Sequence, residues 1–347
     1  MSNGKLKTAI LGLNEPGQLL LKAASELDYF EVQAVADKDT KLAEKVAEQY
    51  KCAFYDDYRQ LVMQNQVDCL IVAAGIHTCD EHIRAAMKKK FNILKLTPPA
   101  RNFGERAEFV KLAESENVKF AVVNTSRLTR SFLSLRRFLQ EGRIEKIFLV
   151  TAFCAVDDKS IEPWQTDPKL AGGGVLLHNC YQIIDQIVCN FDTPQQVYAI
   201  NTNQAADKQQ RLYLTEDTSV VSMKFSDTFS ACIIVSKAVG PEQVVLNVYG
   251  KDKILTVSSS RFAVSDAAGR IDEEFEYDDD QQVRYSALVG NFALSILWPD
   301  DNQRAGSARD NLKDMAVIES AYLSARTGFP EEPARILNRS QIETINA

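Results

Sequence analysis

The chain has 347 residues, of which 45% are hydrophobic and 25% charged, and its net charge at pH 7 is -7. These proportions exclude a disordered, fibrous or disulfide-stapled chain, and because single domains seldom exceed about 250 residues, two domains are expected. The acidic balance offers no broad basic face to a phosphate backbone, so no nucleic-acid partner is expected; Lys88 to Lys90 and Arg136 with Arg137 are small clusters within helical patterns.

The cysteines, Cys52, Cys69, Cys79, Cys154, Cys180, Cys189 and Cys232, are odd in number and form no CxxC pair. Neither a zinc site nor a complete disulfide framework follows, no metal is expected, and a reducing cytoplasm suits the chain. The lead into Ala9 to Leu13 lacks the longer apolar segment and cleavage site of a signal peptide. No window approaches the roughly 18 apolar residues of a membrane span.

Lys7–Leu11 reads as a buried strand running into Gly12-Leu13-Asn14-Glu15-Pro16-Gly17 and a helix to about Leu27. In the dinucleotide fingerprint the first glycine turns the chain, the second admits a pyrophosphate, and the third lets helix and strand pack closely. Asn14 stands at the second position; it tolerates the left-handed region but sets a side chain where phosphate approaches. Pro16 suits a helix start and leaves other amides for an anion. A second strand, Val32–Ala36, ends at Asp37, at the spacing of the acid that hydrogen-bonds an adenosine ribose. In that role Asp37 repels a 2′-phosphate and favours NAD, with Lys38 softening the choice; the alternative is that Asp37 caps the helix Lys41–Tyr50.

The alternation continues with a helix near Asp57–Gln64, a strand Cys69–Ala74, a helix Asp80–Lys90, a strand Asn92–Leu96, a helix Glu105–Glu116 and a strand Lys119–Val123. Strands alternating with helices predict an α/β, doubly wound parallel sheet, a Rossmann domain over residues 1–125. Ligands of such sheets bind beyond the carboxyl ends of the strands, which nominates Gly12–Gly17, Asp37, Gly75–Thr78, Thr97–Pro99 and Asn124–Arg127 as rim segments.

Residues 126–347 form the second domain. A helix Arg130–Glu141 and a strand Lys146–Cys154 come first; strands near Val197–Asn201, Ser219–Phe225, Phe229–Val235, Val244–Tyr249 and Ile254–Val257 follow later, then helices Tyr285–Leu297 and Ala308–Arg326. Successive strands with short turns predict an open, largely antiparallel sheet in an α+β domain, with the C-terminal tail free to return to the first domain. The acidic run Asp272–Asp280, interleaved with Phe275 and Tyr277, reads as an exposed strand or loop face rather than a cation site.

Between that first strand and the later ones lies WQTDPKLAGGGVLLHNCYQIID, Trp164 to Asp185. Gly172, Gly173 and Gly174 can take positive φ and let the backbone approach another group closely. The helix after them offers His178, Gln182 and Asp185 at offsets of four and three, on one face. Leu176, Leu177, Ile183, Ile184, Ile187 and Val188 supply a wide apolar surface, so the polar trio is expected to line a cleft wall.

The order of segments resembles the Gfo/Idh/MocA family of NAD(P)-dependent oxidoreductases over nearly the whole chain. The likeness rests on the glycine turn with Asp37, on LIVAAGIHTCDEHIRAAMKKKFNILKLTPPA, on SRLTRSFLSLRRFLQEGRIEKI, on Trp164 with Asp-Pro and Ala-Gly-Gly-Gly, on Glu216-Asp217-Thr218 and on the closing SARTG. It implies a nicotinamide cofactor, NAD or NADP, a small sugar, polyol or related hydroxyl substrate, and a homodimer or homotetramer assembled through the open sheet. It places Gly12, Asn14, Gly17, Asp37, Gly75, His77 and Pro98 at the cofactor, and Arg127, Trp164, Gln182 and Asp185 at the substrate.

The chain also departs from the family. The Glu-Lys-Pro loop reads Leu96-Thr97-Pro98, so Thr97 stands where the catalytic Lys does. Where the family has Asp and, four residues on, His, this chain has His178 and Gln182; Asp185 keeps the following Asp, Gly75-Ile76 replaces a Pro-Asn pair and Cys79 a His. Neither Thr97 nor Gln182 readily moves a hydroxyl proton, and losing the usual pair removes roughly 10²- to 10⁴-fold of acid-base assistance. His178, whose side-chain type titrates near neutrality, is the candidate proton carrier. Lys95, two residues before Thr97 and about 7 Å from it along one strand face, would orient the hydroxyl with Thr97.

Each residue has a plainer alternative. His178 can be a satisfied histidine, Lys95 a positioning charge or surface residue, Arg127 half of a structural ion pair, Trp164 a core ring and His77 a turn residue. Cys79 and Cys180 show no activating partner and read as packing. An oxidoreductase is the expected function, with a non-catalytic nucleotide- or sugar-binding relative as the alternative. Asn14 leaves room for a third reading, non-redox chemistry or loss of the cofactor.

Overall fold

A parallel sheet begins the chain. Its elements are Leu6–Leu11 (β1), Glu15–Glu26 (α1), Phe30–Ala36 (β2), Thr40–Tyr50 (α2), Ala53–Tyr55 (β3), Tyr58–Gln64 (α3), Cys69–Val72 (β4), Ile76–Lys88 (α4), Asn92–Leu96 (β5), Phe103–Glu116 (α5) and Phe120–Val123 (β6). The computed structural model describes residues 4–157, 162–203, 215–238, 240–299 and 310–338. Among them, those within Met1–Ala100, Glu105–Thr125 and Asp280–Asn311 form one unit, and those within Arg101–Gly104, Ser126–Asp279 and Leu312–Ala347 form a second.

The six strands of the first unit run β3-β2-β1-β4-β5-β6, every pair parallel. Such a sheet is covered on both faces, and the apolar runs of β1 and β4 meet that requirement. Leu20, Leu21 and Val46 join one core cluster, and Leu61, Ile83, Met87 and Phe109 the other. The order reverses between β1 and β4, the switch point at which ligands of open α/β sheets bind.

Three local features differ from the sequence expectation. The short strand β3 carries Phe54 exposed and too little pattern to be read. Helix α4 starts at Ile76, not Asp80: Gly75 is its N-cap and Thr78 Oγ1 donates to Gly75 O at 2.9 Å, so the expected rim loop is the first helical turn. Helix α2 is capped by Asp39, which accepts the Leu42 amide at 3.1 Å, and not by Asp37.

The second unit contains Arg130–Gln140 (α6), Leu149–Ala155 (β7), Pro168–Ala171 (α7), Val175–His178 (α8), Tyr181–Phe191 (α9), Gln196–Thr202 (β8), Thr218–Ser226 (β9), Phe229–Ser236 (β10), Gln243–Tyr249 (β11), Lys253–Ser258 (β12), Arg261–Asp266 (β13) and Ile271–Glu276 (β14). The strand order is β14-β13-β12-β11-β7-β10-β9-β8, with β7 and β10 parallel and the other neighbours antiparallel. Alternation turns Val221, Met223, Ile233 and Val235 inward, where α8 packs on β9 and β10 and α6 on β12 and β13. The opposite parity leaves Tyr198, Ile200 and Ile234 exposed by 39%, 54% and 40%. The acidic run begins as the exposed edge strand β14.

Gln281–Leu297 (α10) packs on α1 in the first unit through Tyr285, Val289 and Phe292. Asp310–Thr327 (α11) supplies Asp314 and Tyr322 to the second. No helix among the described residues is long and apolar enough to cross a membrane.

Candidate active site

In the second unit the residues after the glycines form two helices rather than one. Asn179 and Cys180 separate α8 from α9 because both of their amides turn back to Val175 O, at 3.0 and 3.1 Å. His178 and Gln182 therefore do not share a continuous helix face, which corrects the four-residue spacing argument. His178 Nε2 lies 3.0 Å from Ala171 O. A carbonyl only accepts, so Nε2 donates and the neutral ring carries its lone pair on Nδ1. Trp164, in the turn Pro163–Thr166, meets the imidazole edge to face at 5.6 Å and 67°.

Gln182 and Asp185 are committed to internal partners. Gln182 Oε1 accepts the Ser126 amide at 3.2 Å, and Gln186 Nε2 donates to Ser126 Oγ at 3.0 Å. Asp185 is 0% exposed and accepts Arg127 Nε at 2.8 Å and Nη2 at 2.5 Å. This ion pair lies inside the unit, so Asp185 does not stand on a cleft wall. Burial opposes the Arg127 charge, but the hydrogen bonds and charge of Asp185 outweigh it and push the guanidinium up. Nearby, Tyr181 donates to Asp314 at 3.1 Å, and burial together with the Asp185 charge pushes the Asp314 carboxyl well above its ordinary range.

The glycine run is explained by the chain's own packing. A Cβ on Gly172, at φ +79°, would lie 2.6 Å from Arg101 Cα; on Gly173 it would lie 2.5 Å from Tyr322 Cζ, and on Gly174 2.8 Å from Glu216 N. Each approach admits no side chain. Glu216, only 8% exposed, accepts the Gly174 amide at 2.9 Å, the Leu176 amide at 3.0 Å and the Tyr322 hydroxyl at 2.8 Å. Burial pushes its carboxyl up while these three donors pull the other way. Glu216 thus fixes the start of α8 and, four residues on, His178. The sequence marked Glu216 only as part of a motif; nothing in its spacing pointed to amides 42 and 40 residues away. A polar cavity of about 570 Å³, lined by Asn102, Lys169, Asn201, Glu319, Tyr322 and Arg326 among others, touches Gly172 and Gly173, and neither Trp164 nor His178 lines it.

In the first unit the glycine turn sits at the switch point. Gly12 has φ +90°, and a Cβ there would lie 2.7 Å from Ala74 Cα; a Cβ on Gly17 would meet Gly12 O. These two glycines hold the turn tight against the end of β4. Asn14 caps α1: its Oδ1 accepts the Gly17 amide at 3.0 Å and its Nδ2 donates to Ala73 O at 3.1 Å. Asp37 Oδ2 accepts the Leu13 amide at 2.6 Å and Oδ1 the Asp39 amide at 2.9 Å, which ties the end of β2 to the same turn. Gly75 and His77 lie at the start of α4.

Thr97 and Pro98, joined by a cis peptide bond, follow β5 directly. Lys95 is 3% exposed, and its ammonium donates to Pro98 O at 2.7 Å and Leu96 O at 3.1 Å. It is not a surface residue: it braces the loop that carries Thr97, and burial pushes its charge down. Cys79 lies within reach of that charge, a partner the sequence did not show, yet burial still pushes the thiol up. The Cys180 thiol is raised by its hydrogen bond with Cys154 and by burial, so neither cysteine is an activated nucleophile.

A switch-point glycine turn in a six-stranded parallel sheet, with a second open sheet covered by helices on one face, defines a two-unit protein of the dinucleotide-binding α/β class. The chain belongs to the Gfo/Idh/MocA oxidoreductase family: residues 6–124 match its domain described as an oxidoreductase family with an NAD-binding Rossmann fold, and residues 132–256 match its C-terminal domain. An uncharacterized oxidoreductase from Schizosaccharomyces pombe is 23% identical over 206 residues, 56% of this chain; the chain spans 54% of that relative's length. The oxidoreductase from Agrobacterium radiobacter solved with NAD+, L-tartaric acid and magnesium has a TM-score of 0.82 at 16% identity, over 96% of this chain and 100% of that one. The WlbA dehydrogenase from Bordetella pertussis, solved with NADH and UDP-GlcNAcA, gives 0.79 at 16% identity, over 95% and 99%. Levoglucosan dehydrogenase, solved with NADH and levoglucosan, gives 0.82 at 15% identity, again over 95% and 99%.

Proposed function

We propose that this chain is an NAD(P)-dependent oxidoreductase acting on a sugar, polyol or related small hydroxyl compound, with His178 as its proton carrier. The observation that carries the reading is the imidazole held by Nε2 against Ala171 O, which puts the basic nitrogen of the neutral ring at Nδ1. Trp164 restrains the ring from its edge, and Glu216 keeps α8 in place beneath it. Arg127 and Asp185 act as a brace, with Gln182 tying α9 to Ser126. The fold relatives that hold tartaric acid, a nucleotide sugar and levoglucosan support the substrate class.

The first unit's residues fit a nicotinamide dinucleotide. Gly12 and Gly17 keep the tight turn, and Asp37, still with free acceptor capacity on both oxygens, suits a ribose hydroxyl and disfavours a 2′-phosphate, so NAD is favoured over NADP. Gly75, His77 and Pro98 belong to the same rim. When bound, the cofactor supplies the hydride acceptor. Thr97 offers a hydroxyl for orientation, and Lys95 positions it through the Leu96 and Pro98 carbonyls. The exposed Tyr198, Ile200 and Ile234 support self-association through the open sheet, and the free cysteines support a reducing compartment such as the cytoplasm.

Incubation with NAD+ or NADP+ across a panel of sugars and polyols should yield reduced cofactor with at least one substrate, faster with NAD+. A second reading, a ligand-binding relative without turnover, is favoured by Thr97 and Gln182 standing where proton-moving residues are expected. Cofactor binding with no turnover across the panel would establish that second reading in place of the first.

A further inference from the structure

The cavity of about 570 Å³ beside the glycine run is lined wholly by residues of the second unit and has the size of a small-molecule site. Helix α11 brings Glu319, Tyr322 and Arg326 to it, at offsets of three and four and so from one face. Lys169 lines it from α7, and Asn201 and Thr202 from the end of β8. Among the described residues, no carboxylate pairs with the Lys169 ammonium or the Arg326 guanidinium. Glu216 is committed to the Gly174 and Leu176 amides and the Tyr322 hydroxyl. Glu319 Oε2 accepts the Phe103 amide at 3.5 Å, which leaves Oε1 to accept from elsewhere. Asn201 Oδ1 accepts the Ser219 hydroxyl at 2.7 Å, which leaves Nδ2 to donate. Two cations, an amide donor and a carboxylate acceptor around one cavity suit a molecule carrying both an anionic group and hydroxyls. The guanidinium fork matches a carboxylate, and Asn201 and Glu319 match hydroxyls.

We propose that this cavity binds a small hydroxylated carboxylate of the sugar-acid class, as a second site apart from His178 that acts on it through Tyr322. Neither Trp164 nor His178 lines the cavity. The Tyr322 ring lies against Gly173, where a Cβ would come within 2.5 Å of Cζ, and its hydroxyl donates to Glu216 at 2.8 Å. Glu216 in turn accepts the two amides that start α8, the helix that ends at His178. A ligand that moves the Tyr322 ring therefore pulls on Glu216 and shifts the imidazole. Binding at this cavity goes beyond the oxidoreductase reading and does not depend on it.

The test uses the full chain with gluconate as the probe and sorbitol as its uncharged counterpart. Calorimetry should show gluconate binding that the double variant Lys169→Ala, Arg326→Ala weakens about tenfold, while sorbitol treats the two proteins alike. Both side chains are exposed, so the variant keeps its fold. The chain has three histidines, with His77 and His82 in the first unit, so the imidazole NMR spectrum reads His178 directly. Gluconate should move the His178 resonance in wild type; Tyr322→Phe should bind gluconate as before and move that resonance far less. Equal gluconate affinity in wild type and the double variant, or no saturable binding in wild type, overturns the site. A His178 shift undiminished in Tyr322→Phe overturns the link, because a probe lying on the imidazole itself gives that result. An NADH titration of the same protein bears on the proposed function alone, so failure there and failure here are told apart.

Discussion

Replacing Gly173 with alanine tests whether the glycine run exists for the protein's own packing. The added Cβ would lie 2.5 Å from Tyr322 Cζ and 3.0 Å from Cε2, against an ordinary carbon separation of about 3.5–4.0 Å. The ring has to shift by about 1 Å to restore that separation, and the 2.8 Å bond from its hydroxyl to Glu216 goes with it. A hydrogen bond to a charged group contributes about 1.5–3 kcal/mol and overpacking costs about 1–3 kcal/mol, so Gly173→Ala should destabilise the protein by about 2.5–6 kcal/mol. Urea unfolding reads this as a fall in midpoint at unchanged slope. In a Tyr322→Phe background the hydroxyl bond is already gone, and the same glycine change should cost about 1.5–3 kcal/mol less. A cost below about 1 kcal/mol, or an equal cost in both backgrounds, would mean that Tyr322 and its bond to Glu216 do not depend on the absence of a side chain at Gly173.

Two further outcomes follow from the second unit. Burial and the Asp185 charge raise the Asp314 carboxyl, so the stability that this neutral acid supports is full below its unfolded pKa of about 4 and is lost as pH rises through the folded-state value. Asp314→Asn, neutral at every pH, should flatten that decline in thermal unfolding as pH rises above about 4; a profile parallel to wild type contradicts the assignment. If the proposed self-association runs through the exposed sheet face, Ile200→Lys with Ile234→Lys should lower the sedimentation mass, whereas an unchanged mass would remove that face from the proposal.

The architecture was largely legible in the sequence, because helices alternating with apolar strands announce a parallel sheet and β5 falls on the residues its pattern marks, Asn92–Leu96. The site was legible only in part. Three adjacent glycines declare close approach, but Arg101, Glu216 and Tyr322, which make it, lie far off in the chain. The break between α8 and α9 falls at Asn179 and Cys180, with neither glycine nor proline to announce it; a shared acceptor, Val175 O, makes it. Lys95 reads as a lysine on a strand that could face solvent, yet β5 lies between β4 and β6 and buries it, so its ammonium braces the loop that follows. Asp37 and Asn14 kept the spacing of a cofactor turn while their side chains were engaged by backbone groups that no pattern specifies.

The role proposed for His178 is tested most directly by the rate of cofactor reduction at saturating NAD+ and substrate, compared between wild type and His178→Ala. If the imidazole carries the substrate proton, kcat should fall by roughly 10²- to 10⁴-fold while NADH affinity stays unchanged. An undiminished kcat in the alanine variant would contradict the role given to His178.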